Sequence, residues 1–268
     1  MKLDSNLAWQ EATRTLSANR EVLLALAGVF FVLPHLALSL FFPVPQPQPG
    51  MNAQAAFATI QAYYANAAPF LIAVTIIQAV GTIAVLTLFT DRSRPTVADV
   101  IRRGVIGMVS YIGAQLLLGL AFGVLGGLLL AVAMATKVNA LVGLVGLALI
   151  MAVIYTTFRL FLVAPVIAVD GLANPVAVLR RSWLLTRGNV ARIFVFFAML
   201  GLIGVVIMTM AGAIIGLITT LAIGAAASKL VVAVVSAVLT AVFTLIIIAV
   251  IAAIHRQLAG PSPADTFG

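Results

Sequence analysis

Residues 104–136 read GVIGMVSYIGAQLLLGLAFGVLGGLLLAVAMAT and contain no Asp, Glu, Lys or Arg. A helix of about 20 apolar residues crosses the hydrocarbon of a bilayer, so this stretch is long enough for one tilted crossing. The whole chain has the same character, because 63% of its 268 residues are hydrophobic and only 8% are charged. A water-soluble fold of this size cannot bury that much apolar surface. We therefore predict an all-α polytopic membrane protein, which excludes soluble enzymes, nucleic-acid-binding domains, coiled coils and disordered proteins.

Five further apolar stretches predict the other crossings, giving six transmembrane helices in a single membrane domain, residues 1–268. The predicted spans are 22–42, 69–90, 104–135, 141–164, 193–220 and 230–254. Three shorter segments predict interfacial helices at 5–18, 96–103 and 174–187. The alternating prolines of residues 43–50 exclude a helix there, Lys137 and Asn139 mark a tight turn, and the tail from His255 is predicted to be disordered.

Basic residues are distributed unequally between the two ends of this topology. Thirteen of the 15 Lys and Arg lie on the side of both termini, and the other side has Lys137 and Lys229. The positive-inside rule then predicts cytoplasmic termini, and we expect a multi-pass protein of the bacterial inner (plasma) membrane. The net charge of +8 favours anionic lipid headgroups, not nucleic acid, as its partner. The absence of Cys excludes disulfides and thiolate chemistry.

Each predicted interfacial helix precedes two crossings, which indicates a three-fold repeat of helix plus hairpin. The sequence Val100-Ile-Arg-Arg103 matches Val178-Leu-Arg-Arg181 in the next unit. The third segment starts with Asn174 as a helix cap and Pro175 at the first helical position, and Gly188 ends it. In the first segment, Trp9, Ala12 and Leu16 share one stripe, which predicts a helix lying along the membrane.

The third unit resembles a known family in its motifs. They are Arg159-Leu-Phe-Leu-Val-Ala-Pro165, then Asp170-Gly171, then Arg181-Ser-Trp-Leu-Leu-Thr-Arg-Gly-Asn189. This pattern resembles the glycerophosphoryl diester phosphodiesterase membrane-domain family and YciC-like integral membrane proteins. The resemblance implies a six-helix inner-membrane protein that stands alone, without the catalytic barrel. It does not imply the phosphodiesterase reaction.

The sequence offers no catalytic or metal-binding constellation, so we predict no catalytic residues, no metal, no cofactor and no enzymatic activity. Metal-assisted hydrolysis needs clustered His and carboxylates, whereas the two histidines, His35 and His255, lie far apart and the seven acids are scattered. His35 within the first span has two interpretations. It is either a proton-relay or ligand site beside Pro34, or a neutral imidazole that donates a hydrogen bond to a backbone carbonyl left without a partner by the proline.

The basic third segment suggests a binding site for lipid or another anion. On a helix that starts at Pro175, Trp183 lies three residues from Arg180 and four from Arg187, within reach of both guanidiniums. The residues of this hypothetical site are Arg159, Arg180, Arg181, Arg187 and Trp183. Arg159 has two interpretations: it is an anion ligand inside the bundle, or an anchor that extends to the headgroups.

Small residues predict where helices pack closely, since they let two backbones approach. The residues are Gly119, Gly123 and Gly127 in the third span and Gly212 and Gly216 in the fifth. Packing within the chain is the favoured interpretation, and a homo-oligomer face is the alternative.

Three functional hypotheses follow from these features. The first is a non-enzymatic membrane protein that acts on lipid or on membrane-protein organisation and assembly. The second is a permease or channel for a small solute or lipid, which needs more polar groups within the spans than this chain has. The third is an accessory subunit of a larger membrane complex, with a membrane-protein partner.

Overall fold

The computed structural model describes residues 2–45, 50–90 and 96–260, and helices account for 89% of them. No strand occurs within these ranges. In chain order the helices are α1 (Ser5–Ala18), α2 (Arg20–Ala27), a π-helical turn (Gly28–Val32), α3 (Leu33–Phe41), α4 (Ala53–Thr90), α5 (Val97–Ala135), α6 (Asn139–Arg159), α7 (Val163–Asp170), α8 (Pro175–Leu185), α9 (Val190–Ile223) and α10 (Ala225–Ala259).

Six helical stretches are long and apolar enough to cross a membrane, which confirms the all-α polytopic prediction. They are Arg20–Phe41, Ala53–Thr90, Val97–Ala135, Asn139–Asp170, Val190–Ile223 and Ala225–Ala259. The predicted loop arginines Arg92 and Arg94, part of the proline-rich segment and the tail beyond Gly260 lie outside the described residues.

The first crossing changes its winding where the sequence requires it. Pro34 has no N–H to donate to the carbonyl of Phe30, so the regular α-helical bond is missing there. The π-helical turn Gly28–Val32 occupies this position, and α3 continues the crossing to Phe41. His35 follows the proline and is half-buried.

The predicted interfacial helix at 96–103 and the predicted start of the second span at Pro69 are not boundaries in the structure. Residues 96–103 are the first turns of α5, because the capping box of Thr96 and Asp99 starts the helix and Gly104 continues it in helical conformation. Likewise, α4 runs from Ala53 to Thr90 with Pro69 inside it, so this proline does not open the second span. A helical Gly or Pro costs free energy but does not by itself end a long helix.

Of the other predicted boundaries, one turn is confirmed, and the last turn and the last helix differ from the prediction. The tight turn at Lys137 is confirmed, because α5 ends at Ala135 and Lys137 has φ +58°. The turn before the sixth span is shorter than predicted, since Gly224 with φ +83° joins α9 directly to α10. The last helix is longer than predicted: it continues to Ala259, and His255 is buried at 1% exposure, not part of a tail.

The first and last helices meet at one end of the bundle, where α1 packs against α10. Ala8 and Ala12 are buried there, whereas Trp9 is 40% exposed. The predicted membrane-facing stripe of α1 is therefore wrong in part, because Ala12 faces α10. We name this end, with α1, α7, α8 and the last turns of α10, the basic end. Its exposed basic residues are Lys2, Arg14, Arg20, Arg102, Arg103, Arg180, Arg187 and Arg192.

The short helix α7 occupies the centre of the basic end. The fourth crossing breaks after Arg159 and resumes at Val163, so the chain turns inward and α7 contacts α4, α5, α8 and α10. All residues from Val163 to Ile167 are buried. Pro165 directly follows the predicted end of this span at residue 164, but it lies in the first turn of α7, where its missing N–H has no helical partner to lose.

The opposite end, which we call the distal end, is much more open. The buried residues of the long helices lie mostly in the half nearest the basic end, at 74–89 in α4, 100–114 in α5, 193–204 in α9 and 237–255 in α10. The turns that join α5 to α6 and α9 to α10 lie here, with Lys137 and Lys229. The packed core of the chain is therefore at the basic end.

Candidate functional site at the basic end

The motif residues of the third unit close the break between α6 and α7. The carbonyl of Arg159 accepts hydrogen bonds from the hydroxyls of Thr186 at 2.9 Å and Ser182 at 3.2 Å. The N–H of Leu162 donates to the Ser182 oxygen at 3.2 Å. Backbone groups at helix ends lack hydrogen-bond partners within the helix. Here the two hydroxyls, which are buried, act as partners for these backbone groups. Ser182 and Thr186 therefore hold α8 under the broken crossing.

Arg159 is turned inward and lies under aromatic rings. Its side chain is 7% exposed, its Nη1 donates to the carbonyl of Trp183 at 3.0 Å, and its Cζ lies 4.2 Å from the centre of the Trp183 ring. Tyr155 is 5.7 Å from the same Cζ and meets Trp183 edge-on at 5.9 Å between ring centres. Within the described part of the chain, the Nε of Arg159 is buried without a hydrogen-bond partner.

This arrangement corrects two predictions. The guanidinium on Trp183 belongs to Arg159, not to Arg180 or Arg187, among the described residues. Arg159 also does not extend outward as an anchor, because α8 packs across the end of α6 and covers its side chain. A cation that lies over the face of an indole ring is attracted by the ring quadrupole, which offsets part of its lost hydration.

The start of α8 is fixed as the sequence predicts. Gly171 adopts φ +68° after α7, and the Oδ1 of Asn174 accepts from the N–H groups of Val176 and Ala177. The hydroxyl of Ser110 on α5 donates to the carbonyl of Ala173 at 2.6 Å. The chain therefore enters α8 at a defined angle, tied to α5.

One carboxylate links three helices at this end. Asp170, at the end of α7, lies 3.0 Å from the Nε of Arg181 on α8 and 3.3 Å from the Nε2 of His255 on α10. The histidine contact is within ion-pair distance, but its alignment does not make a hydrogen bond. Arg181 is thus paired, and only part of its guanidinium faces outward.

A shallow groove on the outer face of α8 contains two of the four predicted arginines. Arg180 and Arg181 line a volume of about 400 Å³, together with Asn174, Val176, Ala177 and Leu184. Arg187 is exposed beyond the end of α8, and Arg159 lies under Trp183. The structure therefore brings Arg180 and Arg181 to one groove and does not bring all four arginines together.

His255 and the two hydroxyls are the residues that sequence reasoning missed. The polar tail interpretation of His255 overlooked that Ile254, His255 and Leu258 continue one face of the preceding apolar helix. Ser182 and Thr186 both belong to the motif 181–189 and are four residues apart. This spacing places both hydroxyls on one face of a helix, so it was the signal from which their shared role could have been predicted. No group of three or more His, Cys, Asp or Glu that could hold a metal ion occurs in residues 2–45, 50–90 and 96–260.

The predicted glycine contacts are largely wrong. A Cβ built on Gly119, Gly123, Gly127 or Gly212 would meet nothing within 4 Å, and one on Gly216 would lie 3.6 Å from Val232. The close approaches occur at other glycines, which are Gly81, Gly104, Gly107 and Gly204. At Gly104 the added Cβ would lie 2.6 Å from the carbonyl oxygen of Val80. Glycine spacing shows where a helix can be approached, but not whether a second helix is there.

Comparison with known proteins gives a family without a described activity. No curated protein and no solved structure matches the chain. The resemblance to the glycerophosphoryl diester phosphodiesterase membrane-domain family therefore stays a prediction. The model of one family, described as a domain of unknown function, DUF7847, matches residues 7–258. Because this match covers nearly the whole chain, the protein belongs to the DUF7847 family.

Proposed function

We propose that this protein is a non-enzymatic membrane protein that binds anionic lipid at its basic end and organises lipid or other membrane proteins there. The observation that supports this most directly is the α8 groove, where the guanidiniums of Arg180 and Arg181 stand beside the apolar side chains of Val176 and Leu184. A phospholipid presents the same combination of an anionic phosphate and apolar chains. Arginine binds phosphate with a planar set of donors.

The fixed position of α8 favours a specific site over diffuse attraction. The helix is fixed at its start by Ser110, in its middle by Asp170 and at its end by the Arg159 carbonyl. Because the scaffold does not have to be ordered on binding, less of the interaction free energy is lost. Arg180 and Arg187 are both exposed and so are available to headgroups.

Native mass spectrometry with phosphatidylglycerol or cardiolipin tests this site. We expect Arg180→Ala/Arg187→Ala to retain fewer anionic lipids than the wild type, by about tenfold or more, because each Arg near an anionic surface contributes about 1 kcal/mol. The matched control is Arg14→Ala/Arg20→Ala, which removes two exposed arginines away from α8. Equal retention by wild type and both variants, at low and moderate salt, would refute the α8 site.

The non-enzymatic part of the proposal rests on the scattered acids and the separation of His35 from His255. Purified protein is expected not to hydrolyse glycerophosphodiesters with Mg²⁺, Mn²⁺, Ca²⁺ or Zn²⁺. Turnover that disappears when one residue of this chain is substituted would contradict it.

The central position of α7 argues against a permease or channel. Five consecutive apolar residues of this helix are buried among α4, α5 and α10, so the space between these helices is filled by apolar side chains. Of the larger polar side chains in the spans, Gln78 is half-buried and Gln115 is exposed and bonded to the hydroxyl of Tyr111 at 3.3 Å. These two amides do not line a polar path with gates at both ends.

A second candidate function, that of a subunit in a membrane complex, is favoured by the uncovered α5–α6 hairpin. Gly119, Gly123 and Gly127 are open on α5, and a partner helix would pack closely there. If this surface meets a second copy or another protein, Gly123→Leu should abolish a crosslinked complex in membranes without changing the stability of the monomer. An unchanged crosslinking pattern would leave lipid as the neighbour of this face.

We also propose that both termini lie in the cytoplasm and that the protein belongs to the bacterial inner membrane. The support is the exposed basic residues at the basic end, where α1 meets the last turns of α10. Because the chain has no Cys, single cysteines can be introduced directly. Arg187→Cys should be protected from a membrane-impermeant thiol reagent in intact cells, and Lys137→Cys should react. The reverse pattern would invert the topology.

A further inference from the structure

A second groove lies between the start of α1 and the first turns of α9. Its volume is about 500 Å³, which falls within the range of about 300–1,000 Å³ for ligand sites in proteins. Its lining residues are Ser5, Asn6, Ala191, Arg192, Val195, Phe196 and Met199. None of these residues belongs to the α8 groove, so the two surfaces are separate.

The α9 wall of this groove changes from charged to apolar along the helix. Arg192, Val195, Phe196 and Met199 follow the spacing of one helical face, with the arginine nearest the basic end. Val195 is 54% exposed and Met199 is 61% exposed, and both point away from the chain's own core. Since α9 is a membrane-spanning helix, the apolar part of the groove continues into the hydrocarbon.

The other wall is held in place by the contacts that the residues before α1 make with Asn189 and with α10. The N–H of Leu3 donates to the Oδ1 of the buried Asn189 at 2.9 Å, directly before α9. The backbone of Asp4 exchanges two hydrogen bonds with the side chain of Gln257 on α10, at 3.1 and 3.2 Å. Ser5 and Asn6 are therefore fixed next to Arg192.

The charge of the groove is positive. No acidic side chain lines it, and the carboxylate of the adjacent Asp4 accepts from the N–H groups of Asn6 and Leu7. Arg192 is exposed, and in the described part of the chain it has no carboxylate within ion-pair distance. An exposed guanidinium at the top of an apolar groove is complementary to an anion that carries a hydrocarbon chain.

We propose that the α1–α9 groove is a binding site for one anionic phospholipid. The phosphate lies against Arg192, with the hydroxyl of Ser5 and the amide of Asn6 as further hydrogen-bond donors. One acyl chain lies along Val195, Phe196 and Met199 and extends down α9. This inference rests on the proposed binding of anionic lipid at the basic end, but its site is separate from the α8 groove, so either site can be correct without the other.

Site-resolved photo-crosslinking tests the proposal. Full-length protein in nanodiscs would be labelled with phosphatidylglycerol that carries a diazirine on one acyl chain, and the modified peptides would be mapped. The wild type should be labelled within residues 193–199. With Arg192→Ala we expect about fivefold less label there, as for the loss of one cation beside an anionic surface. Arg192→Lys should retain most of the label, and Arg102→Ala, which removes an exposed arginine on α5, should match the wild type.

Additional variants and a competitor distinguish specific lipid binding from a folding defect and from binding of a small anion. Met199→Trp, which fills the apolar wall, should reduce labelling even if Arg192→Ala does not fold, and thermal unfolding in detergent checks the fold of each variant. Glycerol 3-phosphate at millimolar concentration should not compete. Equal labelling of the α9 peptide in wild type, Arg192→Ala and Met199→Trp would overturn the site, and so would competition by glycerol 3-phosphate, which would show a small-anion site. Arg180→Ala/Arg187→Ala should leave the α9 label unchanged, whatever it does to the α8 groove.

Discussion

Helices α6 and α7 belong to one apolar stretch, Asn139–Asp170, and are separated by three residues, yet their surroundings are opposite. Every residue from Val163 to Ile167 in α7 is buried, whereas Arg159 is the only buried residue of α6. The difference arises at the break after Arg159, which turns α7 into the centre of the bundle and leaves α6 on its periphery. Composition sets whether a segment enters the membrane. The position of a break decides whether it then faces protein or lipid.

The largest effect that would test this comparison is expected for matched isoleucine substitutions. Ile167→Ala in α7 should lower the free energy of unfolding by about 2–5 kcal/mol, because it leaves a cavity against α4 and α5. Ile150→Ala in α6 removes the same atoms from a side chain that is 57% exposed, and should have little effect. The apparent Tm of each variant in detergent, compared with that of the wild type, measures both losses of stability. Equal losses would mean that α6 is as tightly packed as α7.

Two glycines of α5 provide a test in which the sign should change. Gly104→Ala places a Cβ 2.6 Å from the Val80 carbonyl oxygen, so α4 and α5 must separate, at a cost of about 1–3 kcal/mol. The Cβ of Gly123→Ala meets nothing within 4 Å. This substitution should stabilise the helix by about 0.5–1 kcal/mol, because alanine has less backbone entropy than glycine to lose when the chain folds. Shifts of apparent Tm in the same direction would contradict the contrast between the two ends.

Removal of one capping hydroxyl should have a smaller effect. Thr186→Val keeps the volume of the side chain but removes one of the two donors to the Arg159 carbonyl, and we expect a loss of about 1–2 kcal/mol. Thr157→Val is the control, because that exposed hydroxyl bonds only to its own helix at Val153. If both variants melted alike, the Thr186 bond would not be holding α8 in place.

The smallest expected change in stability concerns the guanidinium over Trp183. In a Trp9→Phe background Trp183 is the only tryptophan, so its fluorescence reports on this contact. Arg159→Met should shift the emission and reduce stability by about 1 kcal/mol. The cation–π attraction and the hydrogen bond to the Trp183 carbonyl are lost, and removal of a buried charge whose Nε has no partner among the described residues offsets part of that loss. For Arg159→Lys, the emission and the stability should lie between those of the Trp9→Phe background protein and those of Arg159→Met. Identical spectra for all three proteins would place Arg159 away from the ring.

The crossings could be predicted from the sequence because each depends on a local property, the length of an apolar run. The capping box at Thr96, the Asn174–Pro175 start of α8 and the turn at Lys137 were predictable for the same reason. The partners of Gly104, Arg159 and His255 were not, since each is set by helices distant in the chain. In a membrane, moreover, apolar side chains face both lipid and protein, so hydrophobic periodicity gives little information about which face is buried.

The contacts of Arg159 have a consequence for the order of biosynthesis. Its side-chain acceptor lies 24 residues further along the chain, and the hydroxyl of Thr186 lies 27 residues further. At about 5–20 residues per second, α8 leaves the ribosome on the order of seconds after Arg159 has left it. During that interval the translocon holds a segment whose arginine has neither its aromatic neighbour nor its caps. We therefore expect insertion of the fourth segment to become stable only after α8 has left the ribosome. A released chain truncated between residues 165 and 180 should be retained in the membrane less efficiently than one that extends past residue 190.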